Sequence, residues 1–157
     1  MHPDGFTVRI RFNASGVSLA RIRAVVETLL LTEGSGTFRR DEIDEMLLGL
    51  QESLTNVARH AYPSGDPAMV ELLVRADGGR FQARIRDRGR EFERRAAESR
   101  PSSPPRESGY GLFLMNRTMD RVAYRRRGGT NFTRLERRSK SVDPEPISIK
   151  PRPVSSR

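Results

Sequence analysis

Cysteine is absent from the sequence. Disulfide bonds and thiolate-held metal sites are therefore excluded, and a reducing compartment suits the chain. Tryptophan is absent too, and aromatic residues make up only 6%. No apolar run approaches the roughly 20 residues that span a bilayer. The N-terminus, Met1-His2-Pro3-Asp4-Gly5, lacks the basic-then-apolar order of a secretory signal. These absences describe a soluble cytoplasmic protein. The hydrophobic share, 35%, is low, so part of the 157-residue chain lies outside any core. The length suits one domain with tails, large enough to bury about 68–70% of its unfolded surface.

Positive charge is plentiful. The net charge is +9, and the segment from Arg137 to Arg157 holds six basic residues against two acidic ones. Such a balance attracts polyanions, whether nucleic acid, nucleotide or acidic protein surface. The scarcity of aromatics and the lack of a known nucleic-acid motif argue against direct nucleic-acid binding.

Phe6, Val8, Ile10 and Phe12 alternate with polar residues, the pattern of a half-buried strand. Ile22, Val25, Val26, Leu29 and Leu30 follow helical spacing within Leu19 to Leu31, and Gly34-Ser35-Gly36 breaks the run. Asp41 is placed to cap a long helix that runs to about His60. Residues 63–67, with prolines at both ends, stop it. Met69 to Arg75 and Phe81 to Asp87 form a strand pair around Asp77-Gly78-Gly79. Residues 94–108 are polar and proline-containing, the composition of a long binding loop or lid. A helix from Gly111 to Asp120 precedes strands at Val122–Arg126 and Thr130–Glu136. The expected fold is α+β: a two-layer sandwich with helices on one face of a mostly antiparallel sheet. Residues 1–137 form the domain, and 138–157 read as a disordered basic tail rich in Ser and Pro.

Four constellations carry chemistry. Glu52, Asn56 and His60 stand at i, i+4 and i+8, one stripe of the long helix. A carboxamide oxygen is a hard ligand suited to Mg²⁺, and a carboxylate one turn away is placed to take a proton from a hydroxyl. The same spacing also describes a plain solvated face. Asp87-Arg88-Gly89 ends a strand, where a carboxylate accepts a hydrogen bond from an exocyclic amine and a glycine leaves room for a flat base. Ser108-Gly109-Tyr110-Gly111 opens a helix, and exposed N–H groups there favour phosphate. Gly128-Gly129-Thr130-Asn131-Phe132 stands at the last strand and alone reads as a β-turn.

Taken in order, these motifs resemble the GHKL or Bergerat ATPase superfamily. The stretches Glu52-Ser53-Leu54-Thr55-Asn56-Val57-Ala58-Arg59-His60-Ala61-Tyr62, Gly109-Tyr110-Gly111-Leu112-Phe113-Leu114-Met115, Met119-Asp120-Arg121-Val122 and Gly129-Thr130 resemble its anti-sigma-factor serine/threonine kinases of the RsbW and SpoIIAB type. The resemblance covers about residues 6–137. It implies ATP and Mg²⁺ as cofactors, with Glu52 as general base and Asn56 as magnesium ligand. It gives Asp87 the adenine amine, Gly89 the space for the base, Gly109 and Gly111 the phosphates, and Thr130 a contact at the adenine end. His60 and Tyr62 also match the family pattern, and a structural role is expected for them, since a His on a helix is more often packed and hydrogen-bonded than catalytic. The implied partners are a sigma factor and an antagonist with a STAS domain, which the kinase phosphorylates, and the implied assembly is a homodimer. Arg90-Glu91-Phe92-Glu93 departs from the family pattern after Gly89. That departure supports an alternative: a non-catalytic nucleotide-binding switch of the same fold.

Overall fold

The computed structural model describes residues 5–14, 16–34, 36–61, 69–91 and 110–140. Strand β1 (Gly5–Asn13) turns Phe6, Val8, Ile10 and Phe12 inward, as its alternation predicts. Strands β2 (Met69–Asp77) and β3 (Arg80–Asp87) form a hairpin through Gly78 and Gly79, at φ 49° and 72°. Strands β4 (Arg121–Arg127) and β5 (Thr130–Arg138) repeat the device with Gly128 and Gly129, at φ 55° and 72°. Two successive left-handed residues make a tight turn whose twist matches the flanking strands, and glycine adopts them without a Cβ clash.

The strand order is β1-β2-β3-β5-β4, and every neighbouring pair is antiparallel. Helices α1 (Gly16–Thr32), α2 (Arg40–Asn56) and α3 (Tyr110–Thr118) form the second layer. Helix α2 lies between the other two and touches β3 and β5. Its buried Ile43, Met46, Leu47, Leu50 and Leu54 recur at helical spacing and meet Leu72, Val74, Phe81, Ile85 and Leu135 of the sheet in one core. The expected two-layer α+β architecture is the one found.

The opposite face of the sheet carries eleven arginines: two on β1, one on β2, three on β3, three on β4 and two on β5. Three carboxylates share it. Glu71 pairs with Arg11 at 3.0 Å, Asp77 with Arg75 and Glu136 with Arg134. Most of the net positive charge therefore sits on one surface.

Several boundaries differ from the sequence expectation. The residue at the N-cap position of α2 is Arg39, not Asp41. Glu42 takes the capping role in place of Asp41, accepting the Arg39 backbone N–H at 2.9 Å. It also accepts the Lys140 N–H at 2.6 Å and the Ser139 hydroxyl at 3.1 Å. Burial opposes ionisation of Glu42, yet these three donors and the nearby Arg137 charge hold its carboxyl below the usual range. Strand β5 also runs past Glu136, because the buried Arg137 donates to the Thr118 carbonyl and pairs with Glu45. Residues 138–140, expected in the tail, thus belong to the fold, and residues 141–157 lie outside the described residues. The long helix keeps α geometry only to Asn56, and Val57–Ala61 form a wider π-helical turn.

Candidate active site

Helix α2 and the ends of β3, β4 and β5 enclose a cleft of about 210 Å³. Ser53, Asn56, Val57 and Ala61 line the helical side. Asp87, Tyr124, Asn131 and Thr133 line the sheet side, and Arg90, Arg125 and Arg126 stand at the rim. Strand register explains the sheet side, since Asp87 pairs with Asn131 and Tyr124 with Thr133. Residues paired across antiparallel strands share a face, so all four side chains lie on the helical side.

Asp87 is 3% exposed. Its Oδ1 accepts the Gly89 N–H at 2.9 Å and the Asn131 side-chain amide at 2.8 Å. The same Asn131 amide donates to the Arg90 carbonyl at 2.9 Å, and Arg126 donates to the Gly89 carbonyl at 3.0 Å. Asn131 and Arg126 thus fix both the carboxylate and the chain leaving β3. A buried carboxylate oriented through one oxygen keeps acceptor capacity on the other. Tyr124 is half-buried in the same cleft. Burial pushes its phenol up to about 12, so it stays neutral at any physiological pH.

Gly89 meets a neighbour in its own chain. A Cβ there would stand 2.4 Å from both the Cβ and the carbonyl oxygen of Ala61. The Arg90 N–H donates to that same carbonyl at 3.0 Å. The absent side chain at Gly89 therefore lets β3 dock on the π-helical turn that follows Asn56. Turns of this kind recur at functional sites, because they displace a helix end from its regular path.

Glu52 and Asn56 meet the second helix at Gly111. A Cβ on Gly111 would lie 2.7 Å from Glu52 Oε2 and within 3.6 and 3.8 Å of the Asn56 amide atoms. The first turn of α3 thus closes over the carboxylate–carboxamide pair. Its first N–H groups have no partner within the helix, which gives that spot an affinity for negative charge.

The remaining assignments fall as follows. Thr130 is buried at the β4–β5 turn, away from the cleft lining, and the threonine that lines the cleft is Thr133. The displacement follows from register: Thr130 pairs with Arg127, one residue beyond the Arg126–Asn131 pair that faces the cleft. Gly109, Tyr62 and the expected lid at 94–108 lie outside the described residues, as does the side chain of His60. The sequence reading missed Ser53, Tyr124, Arg126, Asn131 and Thr133. Counting on from the β4–β5 glycines would have paired Asn131 with Arg126, but not with Asp87.

Among the described residues, no cluster of three or more His, Asp or Glu side chains is arranged to hold a metal. A cation carried in by a polyphosphate needs no such cluster. Mg²⁺ keeps several waters and takes one or two protein ligands beside phosphate oxygens. The Asn56 amide oxygen fits that requirement.

Comparison with known proteins agrees with this geometry. The profile of the histidine kinase-like ATPase domain matches residues 12–137. The serine-protein kinase RsbW of Staphylococcus epidermidis is 29% identical over 147 residues, covering 85% of this chain and 86% of that protein. The serine/threonine-protein kinase BtrW of Bordetella bronchiseptica is 31% identical over 94 residues, covering 57% of this chain and 66% of that protein. Among solved structures, the RsbU and RsbW domains of Rv1364c from Mycobacterium tuberculosis superpose with a TM-score of 0.62 at 16% identity. That match covers 85% of this chain and 32% of that one. The SiaB–SiaC complex of Pseudomonas aeruginosa gives 0.52 at 14% identity, covering 81% of this chain and 88% of that one. The two superpositions establish the fold, and the profile match establishes descent. The chain belongs to the histidine kinase-like ATPase domain family, and within it is similar to serine-protein kinases such as RsbW.

Proposed function

We propose that this protein is an anti-sigma-factor serine/threonine kinase that uses ATP. The observation that carries the reading is the closure of Gly111 over Glu52 and Asn56, beside a cleft whose buried end is Asp87. A carboxylate, a carboxamide and a helix N-terminus converge where a triphosphate would lie, and a buried acceptor waits where an amino-substituted base would lie.

Asp87, held by Gly89 and Asn131, accepts the exocyclic amine of adenine through its free oxygen. The first turn of α3 faces the phosphates, and the rim arginines add positive potential. Mg²⁺ bound to the phosphates would neutralise their charge, with Asn56 as its protein ligand. Glu52 orients the incoming serine or threonine hydroxyl and takes its proton as the γ-phosphoryl group passes to that oxygen, leaving ADP. The acceptor in this reading is a STAS-domain antagonist, and the protein holds a sigma factor when the antagonist is phosphorylated. The names of the serine-protein kinase relatives support the activity.

Incubation of the purified protein with labelled ATP, magnesium and a cognate STAS protein tests this. Label should enter the STAS protein and should fall by about 10²–10⁴-fold with Glu52→Ala. Normal ATP binding without any labelling would refute the kinase and favour a nucleotide-binding switch, which the unusual Arg90-Glu91 segment after Gly89 would suit.

A further inference from the structure

Ser53 is 2% exposed and lines the cleft from α2, yet its hydroxyl has no hydrogen-bond partner. Two other buried side-chain atoms among the described residues lack partners, Nε of Arg134 and Nε of Arg137, and neither residue lines this cleft. A buried hydroxyl without a partner costs about 1–3 kcal/mol. Helices usually settle such a group by bonding it to the carbonyl one turn back. This chain does so elsewhere: Thr28 donates to Ala24, Thr32 to Thr28 and Thr118 to Leu114, each at 2.9 Å. Ser53 makes no such bond, and it faces the same space as Asp87.

We infer that Ser53 completes base recognition by donating its hydroxyl proton to the ring nitrogen that flanks the amine held by Asp87. The inference rests on the nucleotide reading above and adds a residue and a chemical edge to it. Adenine presents an amine donor beside unprotonated ring nitrogens. A carboxylate that accepts and a hydroxyl that donates match that edge. Guanine presents a carbonyl in place of the amine, which sets an acceptor against Asp87. The pair therefore selects a 6-aminopurine, with Ser53 as a specificity-determining residue.

Equilibrium binding of ATP, 1-deaza-ATP and 7-deaza-ATP to the full chain, as wild type and as Ser53→Ala, tests this. Ser53→Ala should weaken ATP binding by about five- to tenfold, the worth of one net hydrogen bond to a neutral acceptor. With one of the two deaza analogues, the one lacking the recognised nitrogen, the variant and the wild type should bind equally. The melting temperature of the nucleotide-free variant should hold or rise, since a hydroxyl without a partner has been removed. An equal loss for all three ligands, no loss for ATP, or a lowered melting temperature would each overturn the inference. Failure of the wild type to bind any adenine nucleotide would instead bring down the nucleotide reading, and the role of Ser53 with it.

Discussion

Two glycines separate stability from chemistry at the residue scale. At Gly111, an added methyl group meets Glu52 Oε2 at 2.7 Å, the far end of a flexible side chain. Gly111→Ala should therefore leave the melting temperature nearly unchanged while displacing the carboxylate, and phosphotransfer should drop by about tenfold or more, as misplacement of a catalytic group does. At Gly89, the methyl meets Ala61 Cβ and backbone at 2.4 Å, which cannot swing aside. Gly89→Ala should destabilise the fold by about 1–3 kcal/mol, the range for overpacking, with a lowered denaturation midpoint. Parallel melting and activity measurements on the two variants would separate these effects. The sequence made Glu52, Asn56, Asp87 and Gly111 legible, because each sits in a short motif with its own chemistry. Asn131 and Thr133 were hidden, because their roles depend on which strand pairs with β3. Thr130, expected at the adenine end, lies off the cleft lining for the same reason, since one step of register moves a side chain to the other face.

At the scale of elements, α2 is the spine that positions the site. Its buried stripe was visible as periodicity, and the two glycine hairpins were visible as paired glycines between alternating runs. Its N-terminal anchor was not visible, because Glu42 binds Ser139 and Lys140 from nearly a hundred positions away. Leu50, 1% exposed at the centre of that stripe, should cost about 2–5 kcal/mol as Leu50→Ala in a denaturant titration. Glu42 makes a pH prediction. Its carboxyl lies below the usual range in the folded chain, so the carboxylate stabilises the fold above the unfolded value of about 4.3. That contribution is lost as pH falls through the folded value. Glu42→Gln should accordingly lower stability at neutral pH and flatten its decline on acidification below about pH 4.3. A variant whose acid profile paralleled the wild type would contradict this.

For the whole molecule, charge is divided by face. One side of the sheet holds the core, the helices and the cleft, while the other holds eleven arginines and three carboxylates. Like charges at that density repel, and salt screens them within about 10 Å at 0.1 M. The melting temperature should therefore rise between low salt and about 0.1 M or more, whereas a fold held by surface ion pairs would lose stability. On the site side, the proposed function makes a single demand, the binding of a nucleotide. Asp87 is the residue on which that demand rests most directly. Its Oδ1 is occupied by Gly89 and Asn131, and in the proposed function its other oxygen accepts the amine of the base. Asp87→Asn preserves the first role and replaces the second acceptor with a donor. The decisive measurement is an equilibrium titration of wild type and Asp87→Asn with Mg·ATP. The account predicts saturable binding by the wild type and at least about tenfold weaker binding by the variant at an unchanged melting temperature, as loss of a charge-assisted hydrogen bond implies. Equal affinity for the two proteins would contradict it.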